Sequence, residues 1–271
     1  MAESTVNRAF RILDLLGEEQ STVTPDEVAE QLDTTRSTAY RYIKTLCDTG
    51  FLMQLSKGLY GLGPRIVELE RKIQISDPLL NCSRPLMAEF ASNFKNSVLL
   101  LCGLWGDRVL CLHQEAAQTE GQHPPIIQRA RGIPFPLFKG AASLSILASL
   151  PLAKRRSIYE ANTESIAQMG LGQSWDEFRR QTRVIRDKGT VTTTGTYRSN
   201  LVGVAAPILN EEGTAIGSVT RILDTCHQIR ESELNEDIAC LASLIQSSLQ
   251  KRVDIAIRNN SADQDKVRTR I

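Results

Sequence analysis

Residues 21–52 read STVTPDEVAEQLDTTRSTAYRYIKTLCDTGFL, and their spacing decides the fold of the N-terminal part of the chain. Pro25 suits a first helical position, where its missing N–H would be unpaired in any case, and Thr24 before it is a good N-cap. Val28, Ala29 and Leu32 then share one helical face. Asp33 and Thr34 break that pattern and can cap a second helix, in which Ala39, Ile43 and Leu46 recur at i, i+4 and i+7 as the buried stripe. The opposite face carries Thr34, Ser37, Thr38, Arg41, Lys44 and Thr45, with no carboxylate until Asp48. After Gly50, two apolar runs at 51–55 and 59–62 flank Ser56-Lys57-Gly58 and predict a hairpin. Two helices, a polar turn and a hairpin make a winged helix-turn-helix.

A helix of that composition suits the major groove of DNA. Arginine presents two donors to guanine, Ser and Thr reach base edges or phosphates, and lysine neutralises the backbone. Ser37, Thr38, Arg41 and Lys44 are therefore the expected direct contacts, with Thr35 and Thr45 beside them. Arg36 falls nearer the buried side of the wheel but at the helix start, which suits a phosphate. Lys57, at the hairpin tip, is expected beside the sugar-phosphate backbone. Charge separates this reading from an ordinary solvated helical hairpin. Between Thr34 and Arg65 five cations face the single Asp48, whereas the whole chain, with 32 Lys+Arg and 31 Asp+Glu, is only +1. A protein that coats DNA without sequence preference would be basic throughout.

At 271 residues the chain is too long for this module alone and implies a second domain. A hydrophobic content of 41% and a charged content of 23% fit a soluble protein with a sizeable core, and no apolar run approaches the ~20 residues of a membrane span. The opening MAESTVNRAF lacks the basic and apolar regions of a secretory signal, so a cytoplasmic protein without a membrane partner is expected. The six cysteines are scattered without a C-x-x-C pair and read as small buried hydrophobes in a reducing compartment. Cys111 and His113, two apart on an expected strand, could face one side, but two candidates do not make a metal site. His123 and His227 have no spaced carboxylate or serine partner, and neither a G-x-S-x-G elbow nor a phosphate-cradling glycine loop is present. No metal, no cofactor and no catalysis are expected.

Outward from the reading helices, residues 6–16 predict a lead helix, completing a DNA-binding domain over 1–64. A linker helix follows over 65–80, with Ile66, Leu69 and Ile73 on one stripe and Pro78 ending it. Residues 81–257 alternate helical and strand signals. A helix over 80–94 precedes strands at 97–101 and 108–113, a Gln/Gly/Pro loop at 116–128, and helices at 141–150 and 153–161. Ser174 and Glu177 form a capping box opening a helix to 188. Strands at 189–194, 201–208 and 215–223 and a helix at 232–257 complete an α+β domain, and the polar tail 258–271 is expected to be disordered.

This order resembles the IclR family of bacterial transcriptional regulators over roughly residues 5–255. The likeness rests on VNRAFRILDLL, TTRSTAYRYIKTL, PFPLFKGAASLSILASLP and VGVAAPILNEEGTAIGSVTRI. It implies a GAF-like effector-binding domain, an operator of double-stranded DNA, and a homodimer or homotetramer. In the third segment Lys139-Gly140-Ala141-Ala142-Ser143 opens a helix with small residues, which leaves its free N–H groups open to an anion or simply permits close helix-sheet packing. The resemblance favours the anion: Ala141 and Ala142 match positions that hold the effector's carboxylate, and Thr220 matches a hydroxyl lining the pocket. Where the family often has an acidic cluster, this chain has Thr193, Thr194, Gly195 and Thr196, and Gly203 stands where a cysteine is common. Ser143-Leu144 replaces a usual G-K, and Ile222 a second hydroxyl. Those departures imply a roomier, more apolar pocket in which Leu137, Phe138 and Val202 touch an aromatic or hydrophobic carboxylate. The rival reading, a GAF-like or hydrolase-type enzyme fused to a winged helix, needs a nucleophile and base that the sequence does not display.

Overall fold

The computed structural model describes the backbone of residues 4–268 apart from 18, 95, 117–124, 126, 128–130 and 226–229, with side chains described as far as 252. The chain divides into two compact units, Met1–Asp77 and Pro78–Ile271.

The first unit runs α1 (Thr5–Asp14), α2 (Pro25–Gln31), α3 (Arg36–Asp48), β1 (Leu52–Ser56), β2 (Leu59–Leu62) and α4 (Arg65–Ser76). Thr24 caps α2 reciprocally: its Oγ1 accepts from Glu27 N at 3.3 Å, and the Glu27 carboxylate accepts from Thr24 N at 2.7 Å. Such a box stabilises a helix start by ~1 kcal/mol. Thr35, rather than Asp33 or Thr34, caps α3, because its Oγ1 accepts from Thr38 N. Asp33 instead makes the turn, with φ 46°. Val28, Leu32, Ala39, Ile43 and Leu46 meet Ile12, Val23, Leu52 and Tyr60 in one core.

The wing is held by backbone. Gly63 N donates to Phe51 O at 2.8 Å and Arg65 N to Gly50 O at 3.1 Å, so the hairpin base is tied to the end of α3. The approach is so close that a Cβ on Gly63 would stand 2.1 Å from Gly50 O, and glycine alone fits. At the far end the strands close around Lys57 and Gly58, whose φ of 76° requires glycine. Helix α4 buries no side chain, and Val67, Ile73 and Ile75 are exposed.

The second unit is built on one antiparallel sheet whose described strands are ordered β5-β4-β3-β8-β7-β6: β3 (Ser97–Trp105), β4 (Arg108–Ala116), β5 (Pro134–Pro136), β6 (Val191–Thr194), β7 (Leu201–Leu209) and β8 (Ala215–Asp224). Helices α5 (Pro78–Asn93) and α10 (Glu231–Arg268) pack on one face and α6 (Ala141–Ala148) on the other, with α7 (Leu152–Ala161), α8 (Thr163–Gln168) and α9 (Trp175–Lys188) on that side. The continuous apolar run of β3 follows from this burial on both faces: Leu100 and Cys102 join the α6 layer, Leu99 and Leu101 the α5–α10 layer. Arg221 of β8 crosses the second layer. It is 4% exposed, donates to Ser97 Oγ, pairs with Asp237 at 3.1 Å and lies over the Phe94 ring. The α+β class is the one the sequence implies.

Several local readings change. A bulge in β4 pairs Leu101 with His113 but Cys102 with Cys111, leaving Leu112 as the extra residue. Cys111 therefore joins the α6 layer while His113 turns to the other face with Leu101, so the two do not share a side. Pro78 opens α5 rather than only ending α4. The short α8 and β5 carry too little periodicity to be read from sequence. In α9, Ser174 caps as expected, but Glu177 reaches Gln173 N instead of closing the box on Ser174. Helix α10 runs on to Arg268, through the segment expected to be disordered, with no Gly or Pro after residue 230 to stop it. Most of the 116–128 loop lies outside the described residues, as do His123, Cys226 and His227.

Candidate functional site

Each unit has one surface whose chemistry stands apart from the rest. In the first unit it is the outer face of α3. Thr35, Arg36, Ser37, Arg41, Lys44 and Thr45 are exposed and Thr38 is half-buried. Arg36 is not on the buried side that its wheel position suggests: its side chain is 72% exposed and pairs with Asp26 of α2 at 3.1 Å. A pair this exposed contributes ~0–1 kcal/mol and yields readily to a phosphate. Thr35 and Thr38 are partly engaged with each other, Thr35 Oγ1 donating to Thr38 Oγ1 at 2.9 Å, and the Thr45 hydroxyl donates back to Arg41 O. Ser37, whose Oγ lies 3.1 Å from Thr35 Oγ1, and Arg41 and Lys44 are the further exposed side chains of this face. Tyr40, which sequence reasoning passed over, is 52% exposed and shares their side, three residues from Ser37 and four from Lys44. Its spacing alone was enough to find it. Lys57 is exposed at the hairpin tip.

In the second unit the surface is internal: a cavity of about 160 Å³ between the sheet and the start of α6. Period-two alternation builds its floor from Leu201 and Gly203 of β7, Thr220 and Ile222 of β8, Thr193 of β6 and Leu100 of β3. One wall is Gly140, Ala141 and Ala142. No side chain caps α6, and its first intrahelical bond is Leu144 N to Gly140 O. The N–H groups of the first turn are thus open to a ligand. Phe135 and Ile127 complete the apolar lining. Thr220 is 2% exposed, and its Oγ1 has no hydrogen-bond partner.

The segment between β6 and β7 forms the remaining side with Thr196, Tyr197 and Arg198. Tyr197 is seated on Gly140, where a Cβ would meet its ring at 2.9 Å; its hydroxyl donates to Lys139 O, and Lys139 Nζ lies over the ring. Among the described residues of the lining the charged ones, Lys139 and Arg198, are both cationic. Of the residues expected at a ligand, Ala141, Ala142, Thr193, Gly203, Thr220 and Ile222 line the cavity and three do not. Leu137 is wholly buried in the core and Phe138 packs against that core. Val202 alternates to the other face of β7, packing with Val204, Leu223 and Leu234. Phe135, Tyr197 and Arg198 were missed because they arrive from a three-residue strand and a loop.

Among the described residues no group of three or more His, Cys, Asp or Glu side chains is placed to hold a metal ion, and no helix is long and apolar enough to cross a membrane.

Residues 5–56 match the IclR helix-turn-helix domain. Over 223 residues, 80% of this chain and 81% of the relative, the sequence is 27% identical to a probable HTH-type transcriptional regulator ArcR of Halobacterium salinarum. Two solved structures share the fold. One is a putative IclR transcriptional regulator from Silicibacter, with TM-score 0.74 and 16% identity over 91% of this chain and 96% of that one. The other is an IclR homologue from Microbacterium hydrocarbonoxydans complexed with 4-hydroxybenzoate, with TM-score 0.71 and 20% identity over 92% of this chain and 100% of that one.

Proposed function

We propose, for a chain that carries the IclR helix-turn-helix domain and the fold of the IclR-family transcriptional regulators, that it binds a specific duplex operator and that a small organic acid in the cavity controls this binding. Ser37, Thr38, Arg41 and Lys44 read the major groove, while Thr35, Arg36, Thr45 and Lys57 hold phosphates. The protein acts as a homodimer or homotetramer that presents paired reading helices, and the exposed apolar side chains of α4 support self-association. The ligand favours one arrangement of the oligomer over another and so shifts its affinity for DNA.

The observation that carries the ligand reading is the combination within one cavity: open first-turn N–H groups of α6, a buried Thr220 hydroxyl without a partner, and the apolar side chains of Leu100, Phe135, Leu201 and Ile222. A carboxylate suits the helix start, and Leu100, Phe135, Leu201 and Ile222 suit an aromatic or other apolar body. The 4-hydroxybenzoate bound by the Microbacterium relative belongs to that chemical class. Calorimetric titration of benzoate and 4-hydroxybenzoate into the wild type and into Ala142→Phe tests the reading. The wild type is expected to bind an acid of this class and the variant to lose it, while DNA binding without ligand is unchanged in a gel-shift. Undiminished affinity in the variant would overturn the cavity as the site.

A further inference from the structure

Strands β3 and β4 bring two cysteines face to face. Cys102 and Cys111 are direct cross-strand partners, both are free thiols, and both lie in the core layer on the α6 side, 0% and 1% exposed. Opposed residues of antiparallel strands hold their Cα atoms about 4.5–5.5 Å apart, inside the ~4.4–6.8 Å that a disulfide spans. The Cys111 thiol donates along its own strand to His113 O at 3.4 Å. The neighbouring Cys102 lowers the Cys111 thiol against the opposing effect of its burial, whereas Cys111 and burial push Cys102 well above the ordinary thiol range. Two free thiols held opposite one another at this strand separation are placed to close a disulfide.

The position suits a small oxidant. Cys102 follows Leu100 by two residues on the same face of β3, and Leu100 is part of the cavity floor. Its other cross-strand partner, Ser218, donates to the carbonyl of Ala142, which forms the cavity wall.

We propose that Cys102 and Cys111 are an oxidisable dithiol that closes to a disulfide with hydrogen peroxide. The Cys111 thiolate attacks one peroxide oxygen; an S–O bond forms, the O–O bond breaks, and hydroxide leaves, giving a sulfenic acid. Cys102 gives up its proton to that hydroxide, and its sulfur attacks the Cys111 sulfur. The S–S bond forms as the S–O bond breaks, and the second oxygen departs as water after taking the remaining proton. In total two thiols lose two electrons and two protons, and one peroxide becomes two waters.

The test uses the full chain, reduced and then freed of reductant. It is exposed to hydrogen peroxide, unfolded in N-ethylmaleimide and digested with trypsin, which separates the two cysteines at Arg108. The expected product is a linked peptide pair carrying Cys102 and Cys111, with the intact protein lighter by two hydrogens and four of its six cysteines alkylated. Dithiothreitol restores all six. Cys102→Ser is expected to stop at the sulfenic acid of Cys111, trapped by dimedone, and Cys102→Ala serves if the serine does not fold. Six alkylated cysteines after oxidant, or a bond joining either thiol to a different cysteine, would overturn the proposal, and the wild-type peptide map decides this without any variant.

Discussion

Replacing Thr220 by valine changes one hydroxyl for a methyl of nearly the same shape, at a floor position 2% exposed whose oxygen has no partner. A buried hydroxyl left unpaired costs about 1–3 kcal/mol, so its removal from the ligand-free protein is expected to raise stability by ~1 kcal/mol. In a unit of this size that is a rise of ~2–4 °C in melting temperature. The same substitution takes away a donor for the carboxylate of a bound acid. A hydrogen bond to a charged group is worth about 1.5–3 kcal/mol, which predicts affinity weaker by ~10–150-fold. Urea denaturation gives the first quantity and calorimetric titration the second. The two are expected to move in opposite directions, as they do when a site keeps a polar group for its ligand at the expense of the empty protein. A variant destabilised by 1 kcal/mol or more, with ligand affinity intact, would mean that Thr220 has a structural partner and that the cavity reading is wrong at its centre.

Two predictions concern the first unit. Arg41→Ala is expected to weaken operator binding by ~5–150-fold, the ~1–3 kcal/mol of one bidentate base contact, in a gel-shift at fixed salt with circular dichroism unchanged; equal affinity would remove Arg41 from the interface. Gly63→Ala places a Cβ 2.1 Å from a backbone oxygen that the hairpin base cannot move without losing its hydrogen bonds to Gly50 and Phe51. Its DNA-binding unit should melt earlier than wild type by more than ~1 kcal/mol in differential scanning calorimetry, and an unchanged transition would show that the approach is not rigid.

The elements carrying strong helical or alternating patterns were legible in the sequence. Ala39, Ile43 and Leu46 gave α3, and the strands expected at 201–208 and 215–223 are β7 and β8 of the structure. What escaped reading depends on tertiary registration. The Leu112 bulge shifts every later side chain of β4, and no periodicity in RVLCLHQ announces it. Val202 was misassigned because apolar residues occupy both faces of β7 and only the position of α6 tells which is which. Arg36 was misplaced because a wheel projects Cα directions, whereas a long side chain at a helix start bends outward to Asp26. At the cavity, small residues at 139–143 and the hydroxyl at 220 were visible, but the Tyr197 and Arg198 side came from a loop without a pattern.

The backbone tie between Gly63 and the end of α3 has a bearing on which DNA the protein accepts. Because hairpin and helix are fastened at their junction, the span between Lys57 and Arg41 in the proposed DNA-bound state is expected to be set largely before any duplex arrives. A duplex whose local geometry brings base edge and phosphate to that span is engaged without distortion; one that does not must bend or compress to fit. On the proposed role of Arg41, base pairs that no side chain touches are then expected to influence affinity through their stiffness, and operator preference to extend beyond the positions assigned to Arg41.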